Sequence, residues 1–307
     1  MRGRFAPSPT GLLHLGNARS ALLGWLQARA EGGEFLLRVE DLDRARCRPE
    51  YVDALYRDLE YLGLAWDGPV LFQSARAEAY ESALSRLEAM GRIYPCSCTR
   101  QEVARAASAP HGPLDEGPVY PGTCRPPLGA ARSGVPAALR FVPHPRHTPF
   151  VDGLHGPCGH DVAASVGDFV VRRNDGVASY QLAVVVDDAH QGITHVLRGD
   201  DLLSSTPRQL QLYEALGAPP PAFAHVPLLL GEDGRRLAKR EGASTVAALR
   251  GRGVPADVVV GRLAAWSGLS DGSPRSAASL VPGFSLTRVR REPAVVTTGE
   301  LEYILSP

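Results

Sequence analysis

Lys239 is the only lysine in a chain of 307 residues whose other basic side chains are all arginine. It lies in Arg235-Arg236-Leu237-Ala238-Lys239-Arg240, just beyond the apolar run Val226-Pro227-Leu228-Leu229-Leu230. An ammonium is a compact charge on a mobile stem, whereas a guanidinium holds two oxygens in a fixed fork. A lone lysine in so arginine-biased a sequence points to a mobile charge, suited to following a phosphate during reaction. Near the N-terminus, Arg4-Phe5-Ala6-Pro7-Ser8-Pro9-Thr10-Gly11 leads into His14-Leu15-Gly16-Asn17-Ala18-Arg19. A strand end, a glycine-containing loop and a helix start together form an anion site, because backbone N–H groups and the helix dipole face outward there. Gly16 lets a nucleotide approach the backbone closely, and His14 and Asn17 are spaced to donate to phosphate oxygens. The same residues also suit a tight turn with a helix cap and a half-buried histidine.

Two further groupings carry chemistry. Cys96-Ser97-Cys98 is followed by Tyr120 and Cys124. Three thiolates bind zinc tetrahedrally when a fourth N or O donor completes the set, and His111 and His155 are candidates by residue type. Four protein ligands leave no open position for a catalytic water, so such a site is structural. Cys47 and Cys158 read as structural or incidental. The second grouping, Glu40-Asp41-Leu42-Asp43, ends an apolar strand, where a carboxylate can meet an amino group in the crevice of a parallel sheet. Asp41 and Asp43 suit helix capping and an ion pair with Arg44 equally well. Asp187-Asp188 and Asp200-Asp201 read as strand-end or loop acids.

The elements that must position these groups follow from patterning. Residues 1–10 are extended and punctuated by proline, 18–30 are helical, and Gly32-Gly33 turns the chain into a strand at 35–39. Pro49 opens a helix to about Leu62 with Tyr51, Leu55 and Leu59 on its core face, and another helix covers 75–90. Phe169–Arg172, Leu182–Val186 and Val196–Arg198 read as strands, with helices at 205–216 and 242–268, the latter interrupted around Gly251–Pro255. Strand–helix alternation favours a parallel α/β layer. Glycine and proline are frequent from 108 to 160, which predicts an inserted α+β domain of short strands and loops. The expected units are 1–90 and 166–241 as two halves of a catalytic domain, 91–165 as the insertion, and 242–307 as a helical C-terminal region. The tail after 270 has weak periodicity.

Composition narrows the classes. A hydrophobic share of 44% and a charged share of 21% fit a globular protein rather than a disordered one. Thirty-three basic and 33 acidic residues balance, so any nucleic-acid interaction must rest on local charge placement. Five unevenly spaced cysteines argue against a disulfide scaffold and for a reduced compartment. No signal-peptide core and no apolar run of bilayer length is present, so a cytoplasmic location without membrane contact is expected.

The run Arg4 to Arg19 resembles the opening signature of class I glutamyl-tRNA synthetases, with His14-Leu15-Gly16-Asn17 in place of the family's His-Ile-Gly-His. The resemblance continues through Arg38-Val39-Glu40-Asp41-Leu42-Asp43-Arg44, Leu64-Ala65-Trp66-Asp67, Tyr180-Gln181-Leu182-Ala183 and Arg198-Gly199-Asp200-Asp201-Leu202-Leu203. It includes Ser205-Thr206-Pro207-Arg208-Gln209, and the Lys-Met-Ser-Lys-Ser loop of many relatives falls at Arg236-Leu237-Ala238-Lys239-Arg240. Arg236, Ala238 and Arg240 depart from that loop, while Lys239 keeps the position expected to contact the triphosphate. These matches imply a Rossmann-like parallel sheet with an inserted zinc domain and a short stem-contact-like region.

They also imply an enzyme that makes glutamyl-adenylate from ATP and L-glutamate, with Mg²⁺ accompanying the nucleotide. His14, Asn17 and Lys239 would act on phosphate oxygens, and Thr10, Gly16 and Leu237 would complete the ATP site. Glu40 would meet the α-amino group of glutamate. Arg4 and Arg198 would receive its side-chain carboxylate through forked pairing, with hydrogen bonds from Ser8 and Tyr180. Too few residues follow the lysine loop for the anticodon-reading helical region of full glutamyl-tRNA synthetases. The chain is therefore similar to the shorter family that attaches glutamate to the base queuosine of tRNA(Asp), and it is expected to act as a monomer. In that family a tyrosine precedes the last cysteine by four residues, which implies Tyr120 as the fourth zinc ligand. Charging of a tRNA 3′ end, an RNA-binding paralogue without catalysis, and nucleotidyl transfer to another acid are the competing readings.

Overall fold

A computed structural model describes residues 1–106, 118–237 and 245–305. Strand β1 (Arg2–Phe5) runs into α1 (Leu15–Ala30), and the Gly32-Gly33 turn returns the chain as β2 (Glu34–Val39), parallel to β1. Gly32 has φ 59°, a left-handed conformation that glycine adopts without a Cβ penalty. Helix α2 (Pro49–Tyr61) opens on proline, whose fixed φ suits a first turn, and β3 (Leu71–Phe72) extends the parallel sheet beyond β2. After α3 (Ala77–Ala89) come β4 (Ile93–Cys96), α4 (Arg100–Ala106) and β5 (Ala138–Phe141). The hairpin β6 (His147–Asp152) and β7 (Gly156–Asp161) is followed by the short α5 (Val162–Ser165) and β8 (Phe169–Arg172).

The second half runs α6 (Tyr180–Gln191), β9 (His195–Gly199), α7 (Thr206–Leu216), β10 (Ala222–Val226) and β11 (Leu229–Gly231). It continues with α8 (Val246–Gly251), α9 (Ala256–Trp266), α10 (Ala277–Leu280), β12 (Ala294–Val296) and α11 (Thr298–Leu305). Strand β10 lies parallel to β9 on one side and to β6 on the other. Beside β9 lies β1, where Thr194 N–H donates to Arg2 O at 2.9 Å and Arg2 N–H to Thr194 Oγ1 at 2.8 Å. Helices cover both faces. One apolar core joins α1, α2, α8 and α9 to the β1–β2 side, and the other joins α3, α6 and α7 to β9, β10 and β8. The β1/β9 junction thus has the character of a switch point, where open α/β sheets hold ligands beyond the carboxyl ends of their strands.

The antiparallel sheet β4-β5-β8 stands apart and carries Cys96 at its edge. From the stretch expected to be inserted, β6 and β7 instead extend the sheet of β9 and β10. The tail supplies β12, which pairs with β11 immediately before the lysine loop.

One expected strand is a helix. Leu182–Val186 lies within α6, which Ser179 caps at its start and Gly192 ends in a left-handed conformation. A short continuous apolar run does not distinguish a strand from a buried helix segment. Here Leu182, Ala183 and Val185 are buried against α3 and α7, and packing overrides the strand preference of three consecutive valines. Asp187 and Asp188 therefore sit inside a helix rather than at a strand end.

Candidate active site

Arg4, Ser8, Thr10, His14, Gly16, Asn17, Glu40, Tyr180, Arg198 and Leu237 all line one cavity of about 440 Å³ at the β1/β9 junction. Lys239 and His111 lie outside the described residues. His14 caps α1: its Nδ1 accepts the Asn17 backbone N–H at 3.2 Å. In the neutral ring this leaves Nε2 as the donor, and burial lowers the histidine's pKa against the pull of Asp201. An accepting Nδ1 is that of a neutral imidazole, and the capping and phosphate-binding readings of the sequence are compatible. A Cβ on Gly16 would come within 3.1 Å of the His14 ring, so glycine there leaves room for it.

The described ends of the lysine loop are tied to the same region. Arg236 pairs with Asp201 at 2.9 Å, and beyond the loop the Val246 N–H donates to Leu13 O at 2.9 Å. Beneath them, buried Arg19 donates from Nε to Ser267 Oγ at 2.9 Å and from Nη1 to Pro227 O. Burial pulls its guanidinium down to about 10, with Asp200 opposing. Helix α1, the start of the lysine-loop segment and α9's C-terminal end are thus joined by one side chain.

On the other wall lies a buried charge network. Asp188 Oδ1 accepts from Arg4 Nε at 3.2 Å and from Arg38 Nη1 at 2.7 Å, and Arg38 Nη2 stands 3.5 Å from Glu40 Oε1. Burial disfavours the Asp188 carboxylate, but Arg38 and Arg4 outweigh it and hold its pKa below the usual value. Glu40 is different: burial raises its pKa, and Arg38 and Arg4 offset only part of that. A cation placed beside Glu40 would complete its pairing. Among the described residues Asp188 alone accepts from Arg4, so its terminal nitrogens remain for a ligand.

Arg198 is held more completely. Its Nε donates to His225 Nε2 at 2.9 Å, Nη1 to Tyr180 OH at 3.3 Å, and Nη2 to Thr206 Oγ1 at 2.9 Å and Leu202 O at 3.3 Å. A guanidinium has five N–H groups, so one, on Nη1, is left over. Forked pairing from Arg198, expected from sequence, is reduced to a single donor beside Tyr180. Behind it, His225 Nδ1 lies 2.6 Å from Asp152 Oδ2.

The cysteine grouping forms a cluster. The sulfurs of Cys96, Cys98 and Cys124 lie within 4.8 Å of one another, with Cys98 and Cys124 at 3.5 Å. Tetrahedral zinc with Zn–S bonds of about 2.3 Å sets sulfurs roughly 3.8 Å apart, so the spacing fits. The Tyr120 oxygen is 3.3 Å from Cys96 Sγ and 3.9 Å from Cys98 Sγ, and Arg140 stacks over its ring at 3.7 Å. His155 is elsewhere: its backbone N–H donates to Asp152 at 3.1 Å in the turn between β6 and β7.

Sequence reasoning missed Asp188, Arg38, Asp152, His225 and Arg19. Arg38 and Arg19 stand inside the matched runs, but the partnership of Arg38 with Asp188 needs α6 to be a helix. Nothing local marks His225 or Asp152, which meet only through the pairing of β6 with β10.

Residues 1–274 match the family described as tRNA synthetases class I (E and Q), catalytic domain. A glutamyl-Q tRNA(Asp) synthetase of Symbiobacterium thermophilum is 55% identical over 306 residues, covering 95% of this chain and 94% of the relative. One from Nocardia farcinica is 50% identical over 304 residues, covering 97% and 94%. Among solved structures, a glutamate tRNA ligase from Elizabethkingia meningosepticum, in complex with its amino acid, superposes with a TM-score of 0.83 at 27% identity, covering 99% of this chain and 68% of that one. The chain belongs to the class I glutamate and glutamine tRNA synthetases, in the branch of the glutamyl-Q tRNA(Asp) synthetases.

Proposed function

We propose that this chain activates glutamate as glutamyl-adenylate with ATP and transfers it to queuosine in the anticodon of tRNA(Asp). The observation that carries the reading is the single cavity in which Arg4, Arg198, Tyr180 and Glu40 meet the His14–Asn17 helix start. Glu40 receives the α-ammonium of glutamate, and the terminal nitrogens of Arg4 with the remaining N–H of Arg198 face its side-chain carboxylate. Ser8 and Tyr180 add hydrogen bonds. The α-carboxylate oxygen attacks the α-phosphorus of ATP, forming the adenylate and releasing pyrophosphate.

That step needs alignment and charge compensation more than a protein nucleophile. His14 Nε2 and Asn17 contact phosphate oxygens at the N-terminus of α1, Thr10, Gly16 and Leu237 border the nucleotide, and Lys239 follows the developing charge. Mg²⁺ accompanies ATP and supplies further charge neutralisation. In the second step a hydroxyl of the queuosine cyclopentene ring attacks the activated carbonyl and AMP leaves, its phosphate taking up the hydroxyl proton.

Cys96, Cys98, Cys124 and Tyr120 hold a structural zinc ion that braces the β4-β5-β8 unit. The units 1–90 and 166–241, with β6 and β7 added to their sheet, carry catalysis, the rest of 91–165 braces them, 242–307 contributes RNA contact, and the protein works as a cytoplasmic monomer. Among the described residues no helix is long and apolar enough to cross a membrane. Glutamate-dependent exchange of labelled pyrophosphate into ATP tests the activation step. Exchange with glutamate and not with glutamine or aspartate is expected, and exchange with none of them would refute the reading.

A further inference from the structure

We infer that His225 is a positioning residue that, held by Asp152, fixes the Arg198 guanidinium so that Arg198 and Tyr180 present only hydrogen-bond donors to an acidic side chain. The inference rests on the proposed glutamate site and adds how its polarity is set. A guanidinium Nε always carries hydrogen, so the 2.9 Å contact from Arg198 Nε makes His225 Nε2 an acceptor. The ring proton must then sit on Nδ1, where it donates to Asp152 Oδ2 at 2.6 Å. The other Asp152 oxygen is fixed by three backbone N–H groups, those of Leu154 at 2.9 Å, His155 at 3.1 Å and His225 at 3.2 Å. The carboxylate cannot turn, and it therefore dictates the tautomer. His225 and Asp152 are buried, and Arg198 is 6% exposed. Burial, only partly offset by Asp152, holds the His225 pKa down at about 4, in keeping with a neutral ring.

The consequence reaches the cavity wall. With Nε tied to His225 and both Nη2 hydrogens to Thr206 and Leu202, Arg198 turns Nη1 toward Tyr180. The Tyr180 oxygen accepts that bond, so its own proton is free to point at a ligand. A ligand atom there meets an N–H and an O–H together. A carboxylate oxygen satisfies both and compensates the guanidinium charge; the –NH₂ of an amide satisfies neither, and an amide that turns its oxygen there still leaves that charge uncompensated.

Asp152→Asn tests this without changing volume. Its oxygen would keep the three backbone N–H groups, and its amide would donate to His225 Nδ1, moving the ring proton to Nε2 against Arg198 Nε–H. Nitrogen-15 NMR of the histidine ring should show protonated Nδ1 in the unaltered protein and protonated Nε2 in the variant. In pyrophosphate exchange the KM for glutamate should rise by roughly tenfold or more, the scale of one hydrogen bond to a charged group, with the KM for ATP unchanged. A shifted tautomer with an unchanged glutamate KM would overturn the inference, as would a protonated Nε2 in the unaltered protein.

Should Asp152→Asn not fold, His225→Gln and His225→Leu provide the comparison. Glutamine can still accept from Arg198, so its glutamate KM should lie well below that of the leucine variant; equal values would overturn the inference. Absence of glutamate-dependent exchange in the unaltered protein would instead refute the proposed function, while the NMR result would still decide the tautomer.

Discussion

Tyr180 accepts a hydrogen bond from Arg198 at 3.3 Å, across the gap between the first turn of α6 and the end of β9. The contact exists because Leu182–Val186 is helical: Ser179 caps α6 and turns Tyr180 into the cavity rather than along a sheet. Tyr180→Phe removes one acceptor from Arg198 and, in the proposed site, one donor to the ligand. We expect the KM for glutamate to rise roughly fivefold to tenfold in pyrophosphate exchange, with no change in the KM for ATP. Equal effects on the two substrates would contradict this placement.

Lys239→Ala separates binding from chemistry. A charge that follows the triphosphate stabilises the transition state, so the exchange rate should fall by about a hundredfold or more. Glutamate affinity, read by calorimetry, should hold, because the proposed glutamate site is built from Arg4, Glu40, Tyr180 and Arg198. An unchanged exchange rate would remove the assigned role.

Asp188→Ala tests the buried network. It would leave Arg4 and Arg38 facing each other without their shared carboxylate, and breaking a buried pair costs about 3–5 kcal/mol. Urea denaturation should show a loss of that order. A loss below about 1 kcal/mol would mean the network contributes little more than an exposed ion pair.

Cys98→Ala should release zinc and loosen the β4-β5-β8 unit. Elemental analysis of the purified variant should find little zinc, and proteolysis should cut within residues 91–165 before the rest. Full zinc occupancy would contradict the assignment of the cluster.

His225 gives stability a pH dependence of definite sign. Its pKa is lowered from 6.5 to about 4 in the folded chain by burial. Between those values the unfolded histidine binds a proton that the folded one does not, so stability is complete above about 6.5 and declines as pH falls toward 4. The loss is on the order of 3 kcal/mol. Asp152, whose folded pKa is lowered by the His225 hydrogen bond despite burial, acts in a lower window, below 3.8. Denaturation across pH 7 to 4 should show a decline that His225→Leu reduces, leaving the part due to His14, whose pKa burial also lowers; the same slope in both proteins would contradict it.

Much of this site is legible in the sequence because its parts are local. Arg4, Ser8, His14 and Gly16 fall within one strand-loop-helix run, and Glu40 follows an apolar strand. The cysteine pair and Cys124 announce a cluster by residue type. The supporting charges are not legible, because Asp188 and His225 reach their arginines, and Asp152 reaches His225, only through packing of distant elements. The misread at Leu182–Val186 has the same origin: five apolar residues carry no period, and the neighbours of α6 decide its form. The tail has weak periodicity because β12 is three residues long and exists by pairing with β11.

In the proposed function glutamate goes to queuosine rather than to a tRNA 3′ end. The protein should be incubated with ATP, labelled glutamate and tRNA(Asp) with and without queuosine, each with its 3′-terminal ribose intact or oxidised. Label that requires queuosine and survives 3′ oxidation is the expected result. Label that ignores queuosine and vanishes on oxidation would contradict the account and identify a 3′-charging enzyme.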